Sequence, residues 1–166
     1  MVDSRDLGPQ LRRRLGYLLK HVLLELDRLH EELLAPAGVS AKELAVLLLL
    51  DGREPESQQQ AAQRLGVDRT TMVALLDALE GKGLVTRRPD VVDRRRNVVD
   101  LTDTGRATLR QATSASDEAE RRLLAVLNDD EATLLRRLLT RLATGESAAR
   151  SPTGPATPAS CRPRAQ

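Results

Sequence analysis

Two groups of side chains in this sequence have the types and the spacing needed to bind duplex DNA. Arg69-Thr70-Thr71 begins a predicted helix, where an arginine can hydrogen-bond guanine in two places and a threonine offers a hydroxyl and a methyl group. Asp93-Arg94-Arg95 lies in a polar loop, and its guanidinium groups can enter a minor groove. Together the two groups predict contacts with both grooves of a duplex.

Catalytic and metal chemistry have much less support. His21 and His30 are nine residues apart, which at about 100° per residue places them on opposite faces of a helix. His21 and Glu25 could form half of a metal site, but a surface or interface pair is the favoured interpretation. The sequence contains no convincing Ser-His-Asp or Cys-His arrangement and no phosphate-binding glycine-rich loop. We therefore predict neither an enzyme nor a metal or other cofactor.

A helix-turn-helix is predicted to position the first group. Ser57 and Gln60 have the capping-box spacing that begins a helix, and Gly66 can take the left-handed conformation that ends one. Asp68 is a good N-cap for the second helix, which ends near Gly81. The apolar residues of the two helices are Ala61, Ala62, Leu65, Val73, Leu75, Leu76 and Leu79.

The second group is predicted to lie at the tip of a β-hairpin. Leu84–Arg87 and Val98–Leu101 are short runs rich in β-branched residues that can pair, and the segment between them is too polar for a core. A helix-turn-helix followed directly by a basic hairpin is a winged helix. Its second helix fits the major groove of DNA.

The region from Pro9 to Leu34 is predicted to be one long helix, because apolar residues recur at steps of three and four. This apolar stripe is longer than the small winged helix can cover, so a dimer interface is favoured over burial within the same chain. The stripe contains Leu11, Leu15, Leu18, Val22, Leu26, Leu29 and Leu33. Residues 1–8 are polar and are predicted to be flexible.

Capping signals mark further helices. Ser40 and Glu43 open a helix through Leu50 that is apolar nearly all round and is therefore predicted to be central and buried. Thr102 should cap a long helix over residues 103–127. Small side chains in this helix leave room for another helix to come close, namely Ala112, Ala115 and Ala119.

The last predicted helix begins at Asn128, which has capping-box spacing with Glu131. It carries two adjacent rows of leucine, Leu134, Leu135, Leu138, Leu139 and Leu142. From residue 145 to 166 glycine, serine, proline, threonine and alanine dominate, which predicts a disordered tail. Cys161 in this tail is the only cysteine, so no internal disulfide can form.

Length and composition bound the remaining possibilities. The chain has 166 residues, of which 40% are hydrophobic and 30% charged, as expected for one globular domain. Tyr17 is the only aromatic residue, which argues against single-strand binding by base stacking. The formal charge of +2 is only mildly basic, so the local clustering of arginine carries the DNA prediction. No signal peptide or run of about 18 apolar residues is present, so we predict a cytoplasmic protein that is not membrane-bound.

The most specific pattern runs through the predicted wing. Arg88–Arg95 reads RPDVVDRR, and Val99–Arg106 reads VDLTDTGR. This resembles the wing signature of bacterial MarR-type transcription regulators, an Asp-Arg-Arg at the tip and a Leu-Thr-x-x-Gly-Arg leading into the next helix. Leu65–Thr71 resembles the family's turn and the start of its recognition helix, and the resemblance covers roughly residues 9–144 in element order.

The resemblance implies a mainly α-helical winged-helix fold of the α+β type. Residues 40–102 would form the DNA-binding part, and residues 9–35 and 103–144 the dimerisation helices. The DNA-contacting positions would be Ser57, Gln59, Asp68, Arg69, Thr70, Thr71, Val73, Ala74, Asp93, Arg94 and Arg95. The dimer interface would include Leu11, Leu15, Leu18, Val22, Leu134, Leu138 and Leu142.

The function implied is that of a homodimeric regulator of transcription. Such a protein binds a pseudo-palindromic operator in double-stranded DNA, most simply as a repressor that a small ligand releases. In the family the ligands are often aromatic carboxylates or phenols. Tyr17 and His21 share a helix face, with Arg14 before them, and could hold such an aromatic or anionic effector. The alternative is that Tyr17 packs at the dimer interface.

A winged helix can also serve as a protein-interaction module without DNA specificity. Such a module does not need Arg94 and Arg95 at a hairpin tip, so the sequence favours a DNA-binding regulator.

Overall fold

The computed structural model describes residues 8–51, 58–89 and 97–145. The helices are α1 (Gly8–Leu11), α2 (Leu15–Leu34), α3 (Ala41–Leu50), α4 (Gln58–Leu65), α5 (Arg69–Gly81), α6 (Asp103–Leu123) and α7 (Asp129–Thr144). The strands are β1 (Val85–Pro89) and β2 (Asn97–Leu101), and short 3-10 turns occupy Ala35–Ala37 and Leu124–Val126. The chain divides between Val126 and Leu127 into two compact units, which are described separately.

The prediction of one unbroken helix from Pro9 to Leu34 is wrong at residues 12–14. The chain leaves the helix after Leu11, and Arg14 has an extended backbone just before α2 begins. Gly16 in the first turn of α2 lowers helix propensity by about 1 kcal/mol relative to alanine, which disfavours one helix that continues through this segment. The apolar stripe is therefore divided between two helices.

Helix α3 begins as predicted with a capping box at Ser40 and Glu43. Leu44, Val46 and Leu47 are buried in the core, as expected for a central helix. The prediction of burial all round is wrong for Leu48, whose side chain is 49% exposed. Helices α4, α5 and α6 and strand β2 all contact α3, and the neighbouring elements leave the side that carries Leu48 open.

A polar bridge joins α3 to the end of α5. The Lys82 Nζ donates to Glu43 Oε1 at 2.7 Å and to the carbonyl oxygen of Gly38 at 2.8 Å, while the Ser40 backbone N–H donates to Glu43 Oε2 at 2.8 Å. Burial alone would raise the pKa of Glu43, but the hydrogen bonds from Lys82 and Ser40 outweigh it and hold the pKa below its usual value. The ionised carboxylate is thus the form that stabilises this junction.

Replacing Glu43 by glutamine is expected to lower the free energy of unfolding at pH 7 by roughly 1–2 kcal/mol, because the charged hydrogen bond to Lys82 is lost. A carboxyl group with a lowered pKa stabilises the fold above its usual pKa of 4.5 and loses that contribution as the pH falls through the lowered value. The difference between variant and wild type should therefore shrink as the pH falls below 4.5.

Urea unfolding at pH 7, 5 and 3, at one protein concentration, measures this difference. Glu31→Gln removes an exposed glutamate from α2 and is the control, with an expected change within about 0.5 kcal/mol. If the difference in unfolding free energy between Glu43→Gln and wild type stays constant across the pH range, the lowered pKa of Glu43 is contradicted.

The helix-turn-helix follows the predicted order. Gly66 has the left-handed backbone expected of it, with φ of 64°, and Asp68 caps α5. Ala61 and Ala62 of α4 are buried, whereas the predicted cap Ser57 lies outside the described residues. The inward face of α5 is formed by Met72, Leu76 and Leu79.

The apolar residues that the sequence analysis named for this helix included Val73 and Leu75 and omitted Met72. Both of those residues are only half-buried, whereas Met72 is fully buried. Residues 72, 76 and 79 recur at steps of four and three, so they share one side of a helix.

The two strands form the predicted antiparallel hairpin, with Val85 opposite Leu101 and Arg87 opposite Val99. Their ends differ from the predicted ones by one or two residues. The side chains of Val85, Val99 and Leu101 are buried on the inner face of the hairpin. The hairpin thus packs one side on the core while its far end continues into residues 90–96, outside the described part.

Gly105 lies where α6 passes closest to the start of the hairpin. Thr102 caps α6 by accepting a hydrogen bond from the Gly105 backbone N–H at 2.9 Å, and its hydroxyl also lies 2.7 Å from the carbonyl oxygen of Gly83. A Cβ atom added at Gly105 would lie 1.9 Å from the carbonyl oxygen of Leu84. Only glycine permits this approach of helix to backbone, which explains the glycine in the Leu-Thr-x-x-Gly-Arg pattern.

Replacing Gly105 by alanine should therefore destabilise the fold by at least about 1–3 kcal/mol, the usual cost of overpacking. The obstacle is backbone, which cannot move away as a flexible side chain would. Gly81→Ala is the matched control, because no atom lies within 4 Å of a Cβ added there. Thermal unfolding should show a lowered midpoint for Gly105→Ala and an unchanged or raised one for Gly81→Ala. Equal midpoints would contradict the close approach.

Helix α6 packs along α2, as its small residues predicted. Ala112 and Ala119 are fully buried, and between them Ser116 lies 3.1 Å from the Nε2 of His30 on α2. The helix ends at Leu123 and continues as a 3-10 turn to Val126, slightly short of the predicted end.

Helix α7 belongs to the second compact unit. Asn128 and Glu131 form the predicted capping box, in which each side chain accepts a hydrogen bond of 2.9 Å from the other residue's backbone N–H. Leu134, Leu138, Leu139 and Leu142 are exposed. Gly145 caps the helix with a left-handed backbone, and the predicted tail beyond it lies outside the described residues.

Among the described helices none is long and apolar enough by itself to cross a membrane. In the same described residues, one pair of segments meets the criteria of length and composition when taken together. The pair is Leu15–Ala37 and Ala41–Leu50, with a bend of 68° between them.

Candidate nucleic-acid interface

The N-terminus of α5 is organised by its cap. The Asp68 carboxylate accepts hydrogen bonds from the Thr71 backbone N–H at 2.8 Å and from the Thr71 hydroxyl at 2.6 Å. The hydrogen bond from the hydroxyl lowers the pKa of Asp68 the most, and the bond from the backbone N–H lowers it further. The carboxylate that caps the helix is therefore ionised at neutral pH. Because the Thr71 hydroxyl donates to Asp68, its methyl group and its remaining acceptor capacity are left for a ligand.

The outward face of α5 carries the other predicted contacts. Arg69, Thr70 and Ala74 are exposed, and Val73 is half-buried beside them. Thr70, Ala74 and Asp77 recur at steps of four and three, opposite the buried Met72. The helix therefore offers an exposed strip that begins at its N-terminus, the end that enters the major groove in helix-turn-helix proteins.

The remaining predicted DNA contacts are only partly located. Asp93, Arg94, Arg95 and Ser57 lie outside the described residues, and Gln59 lies in α4 with its side chain undescribed. At the described end of the hairpin, Arg88 of β1 pairs with Asp100 of β2 and remains 67% exposed. The hairpin thus leads toward the predicted wing tip with a basic side chain already at its surface.

The sequence analysis missed Arg87. Its Nη1 lies 3.0 Å from Glu80 Oε2 and its Nη2 lies 2.5 Å from Asp77 Oδ1, so strand β1 is joined to α5 by two ion pairs. Strand alternation could have identified it, because Arg87 is two residues from the buried Val85 and must point to the same face.

The residues predicted to bind an effector do not line either of two grooves in the first unit. Arg14 and Tyr17 are exposed and His21 is half-buried. One groove, of about 530 Å³, lies between α3 and α6, and another, of about 520 Å³, lies between α2, α3 and Lys82. Tyr17 and His21 remain one turn apart on α2, so they share a face as predicted.

The histidines take part in different contacts. His30 faces Ser116 of α6, whereas Glu25, the proposed partner of His21 in half a metal site, pairs with Arg28 at 2.8 Å. Within the described ranges no group of three side chains is suited to hold a metal ion.

The predicted dimer residues present apolar surface to solvent. All seven are exposed in the described chain, namely Leu11, Leu15, Leu18, Val22, Leu134, Leu138 and Leu142. On α2, burial begins only toward the C-terminal end, at Leu29 and Leu34.

The fold and the outward strip of α5 define a winged helix-turn-helix DNA-binding protein. The sequence model of the MarR family matches residues 39–96, which span the helix-turn-helix and the first strand of the hairpin. The transcriptional regulator PecS of Dickeya dadantii (strain 3937) is 32% identical over 127 residues, covering 75% of this chain and 76% of PecS. The chain therefore belongs to the MarR family of transcription regulators, which is not a class of enzymes.

Solved structures agree with this assignment. The transcriptional repressor CouR bound to a 23-mer DNA duplex is 38% identical with a TM-score of 0.76, covering 81% of this chain and 96% of CouR. CouR bound to p-coumaroyl-CoA is 36% identical with a TM-score of 0.73, covering 82% of this chain and 96% of CouR.

Proposed function

We propose that this regulator represses transcription as a homodimer on a pseudo-palindromic operator and that a small ligand releases it. The observation that carries the proposal is the outward strip of α5, which starts at an ordered cap and leaves Arg69 and Thr70 exposed. In a twofold dimer two such helices enter successive major grooves, so the operator has matching half-sites.

The proposed contacts divide by groove. The residues proposed to face the major groove are Asp68, Arg69, Thr70, Thr71, Val73 and Ala74, and Ser57 and Gln59 are proposed to contact the DNA backbone. Arg94 is the residue proposed to enter the minor groove, with Asp93 and Arg95 as the neighbouring DNA contacts.

The homodimer is proposed from two exposed apolar faces. The first is formed by α1 and the N-terminal half of α2, and the second by the leucines of α7. A monomer rarely exposes contiguous apolar surface of this extent to water. We therefore propose that a second copy of the chain packs against these faces. Residues 9–35 and 103–144 then act as the dimerisation part, and residues 40–102 as the DNA-binding part.

The proposed effector is a small molecule with an aromatic group and a negative charge. The bound p-coumaroyl-CoA in CouR has both features. Arg14, Tyr17 and His21 offer a guanidinium, a phenol and an imidazole along one edge of the first helices. The groove between α3 and α6 offers a second location, because Arg106, Leu109 and Arg110 are among the residues that line it. No catalytic step is part of the proposal.

A DNA-binding assay tests the function. The full chain should retard the region upstream of its own gene at a concentration that leaves a scrambled duplex free, and footprinting should show two related half-sites. Adding p-coumaroyl-CoA as a probe asks whether an aromatic anion releases the complex. Equal affinity for both duplexes would overturn the proposal and favour the protein-interaction module.

A further inference from the structure

Arg87 connects the two parts of the proposed DNA interface. Its β1 position faces the same side as the buried Val85, and its side chain is only 22% exposed. Its two terminal nitrogens bind Asp77 and Glu80, which are three residues apart on α5. One guanidinium therefore spans almost a full turn of the helix, and the three residues together are named here the arginine clamp.

The clamp lies across the turn that joins α5 to the hairpin. This turn contains Gly83, whose φ of 68° is the left-handed conformation that glycine adopts most easily. Leu84 and Val85 anchor the base of the hairpin in the core. Beyond them, the ion pairs of Arg87 hold β1 against α5.

Stability alone does not account well for this arginine. The Arg87 Nε is buried and has no hydrogen-bond acceptor among the described residues, which costs free energy. An ion pair whose carboxylates are exposed, as those of Asp77 and Glu80 are, is weak evidence for stability, because water screens much of its attraction. A planar guanidinium that binds two carboxylates does, however, restrict orientation more than one flexible lysine can.

We propose that Arg87 is a positioning residue for operator recognition. This inference rests on the proposed function. In it the arginine clamp fixes the angle between α5 and the wing, so that both bind the same DNA duplex in register. Without it the hairpin tilts away from α5 beyond its base, which Leu84 and Val85 keep anchored in the core, and major-groove contacts no longer coincide with minor-groove contacts. Binding to DNA of any sequence needs no such register and should survive.

Electrostatics alone predicts an effect of the opposite sign. Asp77 is exposed on the strip that faces DNA, and Glu80 lies one turn further along α5. Removing two negative charges from such a surface should tighten binding to phosphates. The clamp predicts instead that Asp77→Asn/Glu80→Gln weakens operator binding, because Arg87 loses both of its partners.

The experiment measures the affinity of the full chain for a footprinted operator and for a scrambled duplex, at several salt concentrations. Asp77→Asn/Glu80→Gln and Arg87→Gln should each lose about tenfold in operator affinity, as expected for removing a coupled pair from both protomers. Affinity for scrambled DNA should be unchanged or, for the acid variant, raised. The salt dependence should stay that of the wild type, because Arg87 does not release counterions from DNA.

Two further variants separate positioning from charge and from folding. Asp27→Asn/Glu31→Gln removes two exposed acids from α2 and matches the change in net charge, so it should keep the operator preference. Arg87→Lys keeps the charge and can reach one carboxylate, so it should retain the thermal midpoint and show an intermediate loss of preference.

The outcomes distinguish the clamp from the function it serves. Wild-type operator affinity in both Asp77→Asn/Glu80→Gln and Arg87→Lys would overturn the clamp while leaving the regulator intact. A weaker salt dependence in Arg87→Gln would show direct phosphate contact and would also overturn it. A wild-type chain without operator preference would overturn the proposed function itself.

Discussion

Replacing Arg69 by alanine is expected to weaken operator binding by about 1–3 kcal/mol per protomer, and so by about 2–6 kcal/mol in a homodimer that carries the change twice. Arg69 is exposed at the N-terminus of α5, next to the ordered cap at Asp68, which is where a recognition helix reaches base edges. The loss should be larger for the operator than for scrambled DNA, because a base contact discriminates between sequences.

Arg94→Ala should fail differently, because the minor groove is read by its width and potential more than by base identity. Affinity should fall for both duplexes, and the slope of log affinity against log salt should flatten by up to about 2, one phosphate equivalent per protomer. Fluorescence anisotropy at several salt concentrations measures both quantities. Arg121→Ala, which removes one exposed arginine from α6, is the control. A wild-type affinity and slope for Arg94→Ala would show that the wing does not contact DNA.

The starts of α3, α5, α6 and α7 were predictable from the sequence, because capping is decided within a few residues. Ser40, Asp68, Thr102 and Asn128 each accept a hydrogen bond from the backbone N–H three residues later, as their spacing indicated. A side chain that satisfies an otherwise unpaired donor at a helix end acts whatever the rest of the fold does. The hairpin was predictable for a similar reason, since its strands are close in sequence.

Features set by tertiary neighbours were not predictable in the same way. The exposure of Leu48 depends on which sides of α3 the other elements cover, and no local pattern states this. The burial of Met72 depends on the helix phase, which the leucine-rich sequence of α5 left ambiguous. The ion pairs of Arg87 join residues seven and ten positions apart across a turn, so they require the packed structure.

The candidate site also has a part that was predictable from local sequence and a part that was not. The sequence predicted Arg69 and Thr70 at the N-terminus of a helix, and both side chains are exposed there. The wing-tip residues 93–95 and the effector residues Arg14, Tyr17 and His21 remain predictions. The geometry around the effector residues depends on the second protomer, which is proposed to pack against the exposed faces of α1 and α2.

Replacing Leu18 by glutamate is expected to abolish the homodimer. Leu18 and Val22 are exposed on α2 in the single chain, at 39% and 49%. Burying a leucine contributes roughly 1.5–3 kcal/mol, and the twofold interface contains each position twice. A buried, unpaired carboxylate adds a large further penalty. The variant should therefore give monomers, aggregates or unfolded protein, and Leu138→Glu should do the same on α7.

Sedimentation velocity at micromolar concentration, combined with circular dichroism, measures association and folding together. The matched control is Val126→Glu, because that side chain is already 88% exposed at the end of a 3-10 turn and should tolerate a charge. Operator binding should fall with the dimer, since a monomer reaches only one half-site. A wild-type chain that sediments as a well-folded monomer would show that the apolar faces of α2 and α7 do not form a dimer interface.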